Sequence, residues 1–200
     1  MTGTPTILQL TIIRHGQTPG NAARRYVGRD DQPLSEEGVE QARRALHFPD
    51  VQRVYVSMLK RTHETAAIMF PNAEQVIVEG VQEMDFGTFT GRSADEMAND
   101  EDYRNWVDSW CEDPCPGGES RAQFNERIIA AMDGFLRAAA ARGEHDVHLV
   151  AHGGTMMAFL GHYAGDIRQY FEWNTANCHG YQMNIRLDND SLAIEDIKEL

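Results

Sequence analysis

Leu10-Thr11-Ile12-Ile13-Arg14-His15-Gly16-Gln17-Thr18 and His148-Leu149-Val150-Ala151-His152-Gly153-Gly154-Thr155 are two versions of one pattern, an apolar run that stops at His-Gly-x-Thr. An apolar, β-branched run bounded by glycine reads as a buried strand, and the glycine supplies the turn from which a helix starts. His15 and His152 therefore stand at strand ends. In an open α/β sheet the carboxyl ends of parallel strands line the crevice where ligands bind, so two such ends can bring the histidines together across the sequence. One His-Gly alone would be read as a hydrogen-bonded structural histidine. Its repetition is what marks a site.

Between the two runs the pattern alternates strand and helix. Ser35 caps a helix with Glu36 and Glu37 in its first turn and Val39, Ala42 and Leu46 on one face. Val51 to Val56 reads as a strand, Ser57 to Leu59 as a connection, and Arg61, Thr65, Ala66 and Met69 as a helix ended by Pro71. Gln75 to Val78 is a further strand. A different rhythm runs from Asp95 to Pro116, with a helical stripe at Tyr103, Trp106, Val107 and Trp110 and a turn-rich end. A long helix from about Ser120 to Arg142 carries Phe124, Ile128, Met132, Phe135 and Leu136 inward. Another helix spans Thr155 to Tyr163, and Tyr181 to Leu187 with Leu192 to Ile197 form a hairpin around Asp188-Asn189-Asp190. The expected fold class is three-layer α/β/α with a mostly parallel central sheet, a small cap-like insertion over 92–118 and a C-terminal hairpin, in one domain over 1–200.

The chain has 200 residues, with 31 Asp plus Glu against 18 Lys plus Arg and a formal charge of −13. Such an excess of acid argues against nucleic acid or an anionic membrane as partner, so an anionic substrate needs a local basic pocket. Met1 to Pro5 lacks the regions of a signal peptide and no apolar run is long enough to span a bilayer, which leads to the expectation of a cytoplasmic protein. Cys111, Cys115 and Cys178 are odd in number and read as free thiols, with a zinc site as the minor alternative. A monomer and a homodimer both stay open.

Arg14 precedes His15, and Thr18 and Asn21 follow in the next loop, so Arg14 to Asn21 is built like a phosphate cradle. The connection after Val56 delivers Arg61 to the first turn of its helix, another place suited to an anion. Arg24, Arg25 and Arg29 form a basic cluster that either holds a second anionic group or pairs with Asp30, Asp31 and Glu36 on the surface.

Ile13-Arg14-His15-Gly16-Gln17-Thr18, Asn21, Gly28, Asp31, Pro33-Leu34-Ser35, Gly38 and Gln41-Ala42 resemble the N-terminal signature of the histidine phosphatase superfamily, also called phosphoglycerate mutase-like. Ser57 to Ala66 resembles its Ser-x-x-x-Arg-x-x-x-Thr-Ala segment, Glu83-Met84-Asp85-Phe86-Gly87 its acidic loop, and Val150 to Gly154 its second histidine motif. Tyr26-Val27-Gly28-Arg29, Phe86-Gly87, Trp106 and Pro116 to Ser120 are most similar to the α-ribazole phosphatase and small broad-specificity phosphatase branch. Thr62 and Phe89-Thr90-Gly91 depart from the common pattern, at positions that are not catalytic.

The resemblance implies a covalent phosphohistidine on His15, charge balanced by Arg14, Arg61 and His152, and Glu83 as general acid and then base, with Asp85 its nearby competitor. It implies no metal and no other cofactor. The candidate binding set is Arg14, Thr18, Asn21, Arg24, Arg25, Arg61, His152 and Gly153. The expected function is metal-independent hydrolysis of a small phosphomonoester, with α-ribazole phosphate one candidate. Its rivals are a cofactor-dependent phosphoglycerate mutase, a catalytically silent ligand-binding relative, and a zinc hydrolase. The acidic stretch Asp95 to Asp102 favours hydrolysis, because it would repel a phosphoglycerate.

Overall fold

The protein is described by a computed structural model over residues 5–164 and 166–200. Its strands are β1 (Thr6–Arg14), β2 (Arg53–Val56), β3 (Glu74–Ile77), β4 (Asp146–Ala151), β5 (Gly180–Leu187) and β6 (Leu192–Glu199). They form one sheet in the order β3-β2-β4-β1-β5-β6. β1, β2, β3 and β4 run parallel, while β5 and β6 are antiparallel and close one side as the expected hairpin.

Side chains alternate across this sheet and seed two cores. Ile13, Val54, Val56 and Val150 face α2 (Glu36–Arg44) and α3 (Lys60–Met69) through Ala42, Ala66 and Met69. Leu10, Ile12, Leu149 and Ala151 face the other way, toward α5 (Arg121–Ala141) and α6 (Gly153–Tyr163), through Phe124, Ile128, Met132 and Phe159. Helices on both faces are what a parallel sheet buried on each side requires. The result is the three-layer α/β/α arrangement with a mostly parallel sheet.

Boundaries moved where caps decide them. Ser120 is the N-cap of α5 and Arg142 its C-cap, so the helix proper is Arg121–Ala141. α6 starts at Gly153, two residues earlier than expected, because His152 is already its N-cap. β2 starts at Arg53 rather than Val51, and β3 is shifted back by one residue. α2 stops at Arg44, which leaves Leu46 outside the helix and 56 % exposed instead of on its buried face.

The stretch over 92–118 holds α4 (Glu101–Asp108), which buries only half of the expected stripe. Tyr103 and Trp106 pack with Tyr26 and Phe89, but Val107 is turned outward. Trp110 lies past the helix end at φ 58° and is 75 % exposed. Behind the His15 loop comes α1 (Pro19–Ala22), a single turn capped by Thr18.

The first turn of α2 touches the His15 loop backbone to backbone. A Cβ on Gly38 would lie 2.0 Å from the Gln17 carbonyl oxygen, and one on Gly16 would lie 2.7 Å from the Gly38 carbonyl oxygen. A methyl group at 38 must therefore push the loop off the helix. Gly134, in the middle of α5, has open space around its Cα. Opposite outcomes are expected in urea unfolding: Gly134→Ala should stabilise by about 0.5 to 1 kcal/mol through helix propensity, and Gly38→Ala should destabilise by about 2 kcal/mol or more through overpacking. Equal effects would remove the close approach from the argument.

Candidate active site at the ends of β1 and β4

Parallel register sets Arg14 opposite Ala151, so the next residue of each strand is a histidine. The His15 amide donates to the Ala151 carbonyl at 3.0 Å, and the two imidazoles meet edge to face with centroids 5.2 Å apart. Both rings are buried.

The His15 tautomer follows from its neighbours. Nδ1 lies 2.6 Å from the Gly16 carbonyl oxygen, which only accepts, so Nδ1 carries the proton. Nε2 is left with its lone pair and accepts from Arg61 Nε–H at 3.1 Å. Burial, Arg61 and Arg14 hold the His15 pKa well below its ordinary 6.5, the Gly16 contact acting the other way. Neutral imidazole with a bare Nε2 is a nucleophile in its reactive form. The loop is fixed by the Gly16 amide donating to Thr65 Oγ1 and by Asn177 Nδ2 donating to the His15 carbonyl.

Arg61, in the first turn of α3, is 1 % exposed and spends its Nη groups on the Asp30 and Gly28 carbonyls. Arg14 donates to Asn174 Oδ1 and the Thr175 carbonyl, and its Nε is buried with no partner. Among the described residues neither guanidinium has a carboxylate within 4.0 Å, although both feel the charge of Glu83 from farther away. Burial lowers the pKa of both. Two cations in this condition are costly unless an anion joins them.

His152 caps α6 by position. Its Nε2 is anchored 2.8 Å from Ser57 Oγ, and its Nδ1 is buried without a partner. Burial, with Arg61, His15 and Arg14, keeps this ring neutral as well. Glu83 completes the group: its Oε2 accepts from the Gly154 amide at 3.1 Å and its Oε1 from the Met84 amide at 2.9 Å. A Cβ on Gly154 would stand 2.0 Å from Glu83 Oε1, so only glycine at the second position of α6 lets this carboxylate settle there. Asp85, the expected competitor, is turned away, accepting from the Gly87 amide with Arg29 3.5 Å from its other oxygen.

The structure thus gathers Arg14, His15, Arg61, Glu83 and His152. Gly153 lies against the Arg14 guanidinium. Thr18 and Asn21 exchange capping hydrogen bonds; Asn21 Oδ1 accepts from the Thr18 amide, which leaves its NH₂ unused by that contact. The basic cluster does not join them. Arg24 is exposed at φ 53°, Arg25 pairs with Glu96 and the Gly91 carbonyl, and Arg29 pairs with Glu119 rather than Asp30, Asp31 or Glu36. His63 faces Gln75 instead of the site. Asn174, Thr175 and Asn177 were missed because they sit in a stretch with no periodicity or repeated motif. Ser57 was quoted within a motif but given no part, although a hydroxyl at a strand end before a helix was a usable signal.

Both buried histidines are neutral in the fold, whereas in the unfolded chain they titrate at about 6.5. Below that value the unfolded chain binds more protons, so stability is lost as the pH falls through 6.5 and is regained as it rises. The two rings together should lower the unfolding free energy by about 3 kcal/mol from about pH 7.5 to about pH 5.5. His15→Asn should flatten that slope in urea titrations across the range; an unchanged slope would mean His15 is already charged in the fold.

A family model described as "Histidine phosphatase superfamily (branch 1)" matches residues 10–197. The "Probable phosphoglycerate mutase GpmB" of Enterobacter sp. (strain 638) is 30 % identical over 66 % of the chain and 64 % of its own length, so the chain spans just under two thirds of that relative. Its counterpart in Yersinia pestis (strain Pestoides F) is 32 % identical over 74 % of the chain and 70 % of its own length. Among solved structures, the α-ribazole phosphatase of Shigella flexneri shares the fold at TM-score 0.75 with 21 % identity, covering 94 % of this chain and 95 % of that one. A mycobacterial glucosyl-3-phosphoglycerate phosphatase does so at TM-score 0.71 with 23 % identity, covering 96 % and 100 %. The paired His-Gly strand ends and the two guanidiniums without a carboxylate partner among the described residues give the family match over nearly the whole chain a structural basis, and the chain belongs to branch 1 of the histidine phosphatase superfamily.

Proposed function

We propose that the chain hydrolyses a small phosphomonoester through a phosphohistidine on His15 Nε2. The observation that carries this reading is the pair of guanidiniums, Arg61 buried and Arg14 partly buried with its Nε wholly so, that lack a carboxylate partner among the described residues and flank a neutral imidazole whose Nε2 bears its lone pair. A phosphoryl group supplies the missing negative charge. α-Ribazole phosphate, named for the Shigella neighbour, is the first substrate to try.

In the first step Nε2 forms a bond to phosphorus while the ester P–O bond breaks and the leaving oxygen takes a proton from Glu83. Arg61 Nε–H, which holds Nε2 at rest, is released toward the phosphoryl oxygens as that lone pair is used. Of the nitrogens on the gathered site residues, Arg14 Nε and His152 Nδ1 are buried without a partner among the described residues, and they meet the same oxygens. In the second step water attacks phosphorus, Glu83 takes its proton, the P–N bond breaks and inorganic phosphate leaves. The partner is then a small metabolite, and the expected place of work is the cytoplasm. No helix among the described residues is long and apolar enough to cross a membrane.

Phosphoryl transfer between carbons of a phosphoglycerate is the second reading, favoured by the names of the curated relatives. It needs a free cation for the substrate carboxylate. Five arginines around the site are committed, Arg25 to Glu96, Arg92 to Asp100, Arg29 and Arg127 to Glu119, and Arg121 to Glu112, while Arg24 is exposed with no carboxylate partner among the described residues. Those pairs also neutralise part of the acidic stretch, so the spent cations weigh against a mutase more than repulsion does.

Rapid quenching with a phosphate-labelled substrate should trap label in an acid-labile, alkali-stable bond. His15→Ala should lose that label, with kcat/KM down by about a thousandfold or more; retained label or activity would move the nucleophile elsewhere. A second measurement separates hydrolysis from transfer. With 3-phosphoglycerate and 2,3-bisphosphoglycerate present, phosphate release should exceed the flux through coupled enolase, and the opposite ratio would favour the mutase.

A further inference from the structure

A cavity of about 270 Å³ opens beside the proposed proton donor, with Glu83 and Gly154 on one wall. The rest is largely aromatic, formed by Tyr26, Phe86 and Trp106 on one side and Phe124, Tyr170 and Phe171 on the other. The first three rings pack on one another with centroids 5.1 to 6.2 Å apart. The two tyrosine hydroxyls of this wall are used elsewhere: Tyr26 bonds Tyr103 at 2.9 Å and Tyr170 donates to Asn125 Oδ1 at 3.1 Å. Trp106 Nε1 is buried without a partner, a donor that an acceptor on a ligand would satisfy.

The mouth repeats the theme. Arg121 lies over the Tyr170 and Phe171 rings, 5.3 and 5.8 Å from their centroids, with its charge taken by Glu112. Phe171 is 49 % exposed. Trp110 and Cys111 follow one another at φ 58° and 60°, a left-handed pair of non-glycine residues in the segment that brings Cys111 to this wall. Buried aromatic surface with its polar groups withdrawn is suited to an apolar ring and poorly suited to a carboxylate or a second phosphate.

Resting on the hydrolase reading above, we infer that this cavity receives the leaving group, and that the substrate is the phosphate ester of an alcohol bearing an uncharged aromatic ring. The geometry connects the two functions. The carboxyl group of Glu83, which in its protonated form gives its proton to the leaving oxygen, also lines the cavity into which the rest of that alcohol extends, so a ring stacked there holds the oxygen at Glu83. The energy of ring burial then serves the chemical step, and a substrate without a ring loses it.

The test compares esters whose alcohols are nearly equally acidic, so that intrinsic reactivity cancels. 2-Phenylethyl phosphate should be turned over with kcat/KM roughly 50-fold above ethyl phosphate, from the apolar area buried by one phenyl group. Phe171→Ala and Met157→Glu, which alter the walls without touching the buried histidines, should each cut that preference at least about threefold. Calorimetric titration with 2-phenylethylphosphonate and ethylphosphonate repeats the comparison without turnover. Matching affinities for the two phosphonates, or a preference that neither variant changes, would overturn the inference. Tighter binding of the aromatic phosphonate with no turnover of either ester would uphold the cavity assignment and overturn the hydrolase reading instead.

Discussion

β1 and β4 run parallel with Arg14 opposite Ala151, so the two strands leave the sheet side by side and deliver His15 and His152 to the same few ångströms. That register places the other parts too. β2 lies on the far side of β4, and its end supplies Ser57 to the back of His152 and the connection that leads to Arg61. A slip of one residue between β1 and β4 would carry one histidine to the opposite face of the sheet. Ile13 and Val150 pack against α2 and α3 while Leu10, Ile12, Leu149 and Ala151 pack against α5 and α6, so both cores oppose such a slip.

Charge at this point is arranged against the general balance of the chain. The molecule carries a formal −13, yet Arg61 is buried and Arg14 partly buried beside two neutral imidazoles. Neutral rings cost less to bury than charged ones, and the arginines themselves hold the rings neutral, so the four groups are mutually consistent only with His15 and His152 unprotonated. Glu83 stands near enough to be felt by both guanidiniums but is tied to the amides of Met84 and Gly154 rather than to either cation. That separation matters for the proposed chemistry. A carboxylate in direct contact with Arg14 or Arg61 would occupy the place where a phosphoryl oxygen belongs.

The sheet, its order of elements and the placing of Arg14, His15, Arg61 and His152 were legible in the sequence because each rests on a local rule, whereas Glu83 was legible only through the family resemblance of its acidic loop. Apolar runs ending in His-Gly give strand ends, and Ser35 and Ser120 give helix starts. What was not legible depends on contacts between distant segments. Nothing local tells Arg25 to pair with Glu96 rather than bind a ligand, since that choice depends on the loop after Gly91 returning to the segment behind His15. Asn174, Thr175 and Asn177 hold Arg14 and the His15 backbone from an irregular stretch that carries no periodic signal. Trp106 and Trp110 sat on one predicted stripe, but the helix ends between them, and a left-handed turn sends the second indole into solvent. The aromatic cavity depends on that same turn, so it was invisible for the same reason.

Arg127 shows how the cap side and the catalytic side are kept in step. Its guanidinium holds both oxygens of Glu119 and donates to the carbonyls of Gly80, Gln82 and Glu83. Glu119 in turn accepts from the Asp85 amide and pairs with Arg29, and its own amide donates to the Asp85 carbonyl. The backbone on either side of Glu83 is therefore pinned by a long helix and by the end of the 92–118 stretch at once. Burial pushes the Glu119 carboxyl up, but Arg127, the Asp85 amide and Arg29 together outweigh it and hold the group below the usual carboxylate range. An acidic loop carrying a proton-transfer residue would drift if its charge and its flexibility were left to solvent. Here a partly buried ion pair fixes its path, and the position of Glu83 over the start of α6 follows from that path together with the absence of a side chain at Gly154.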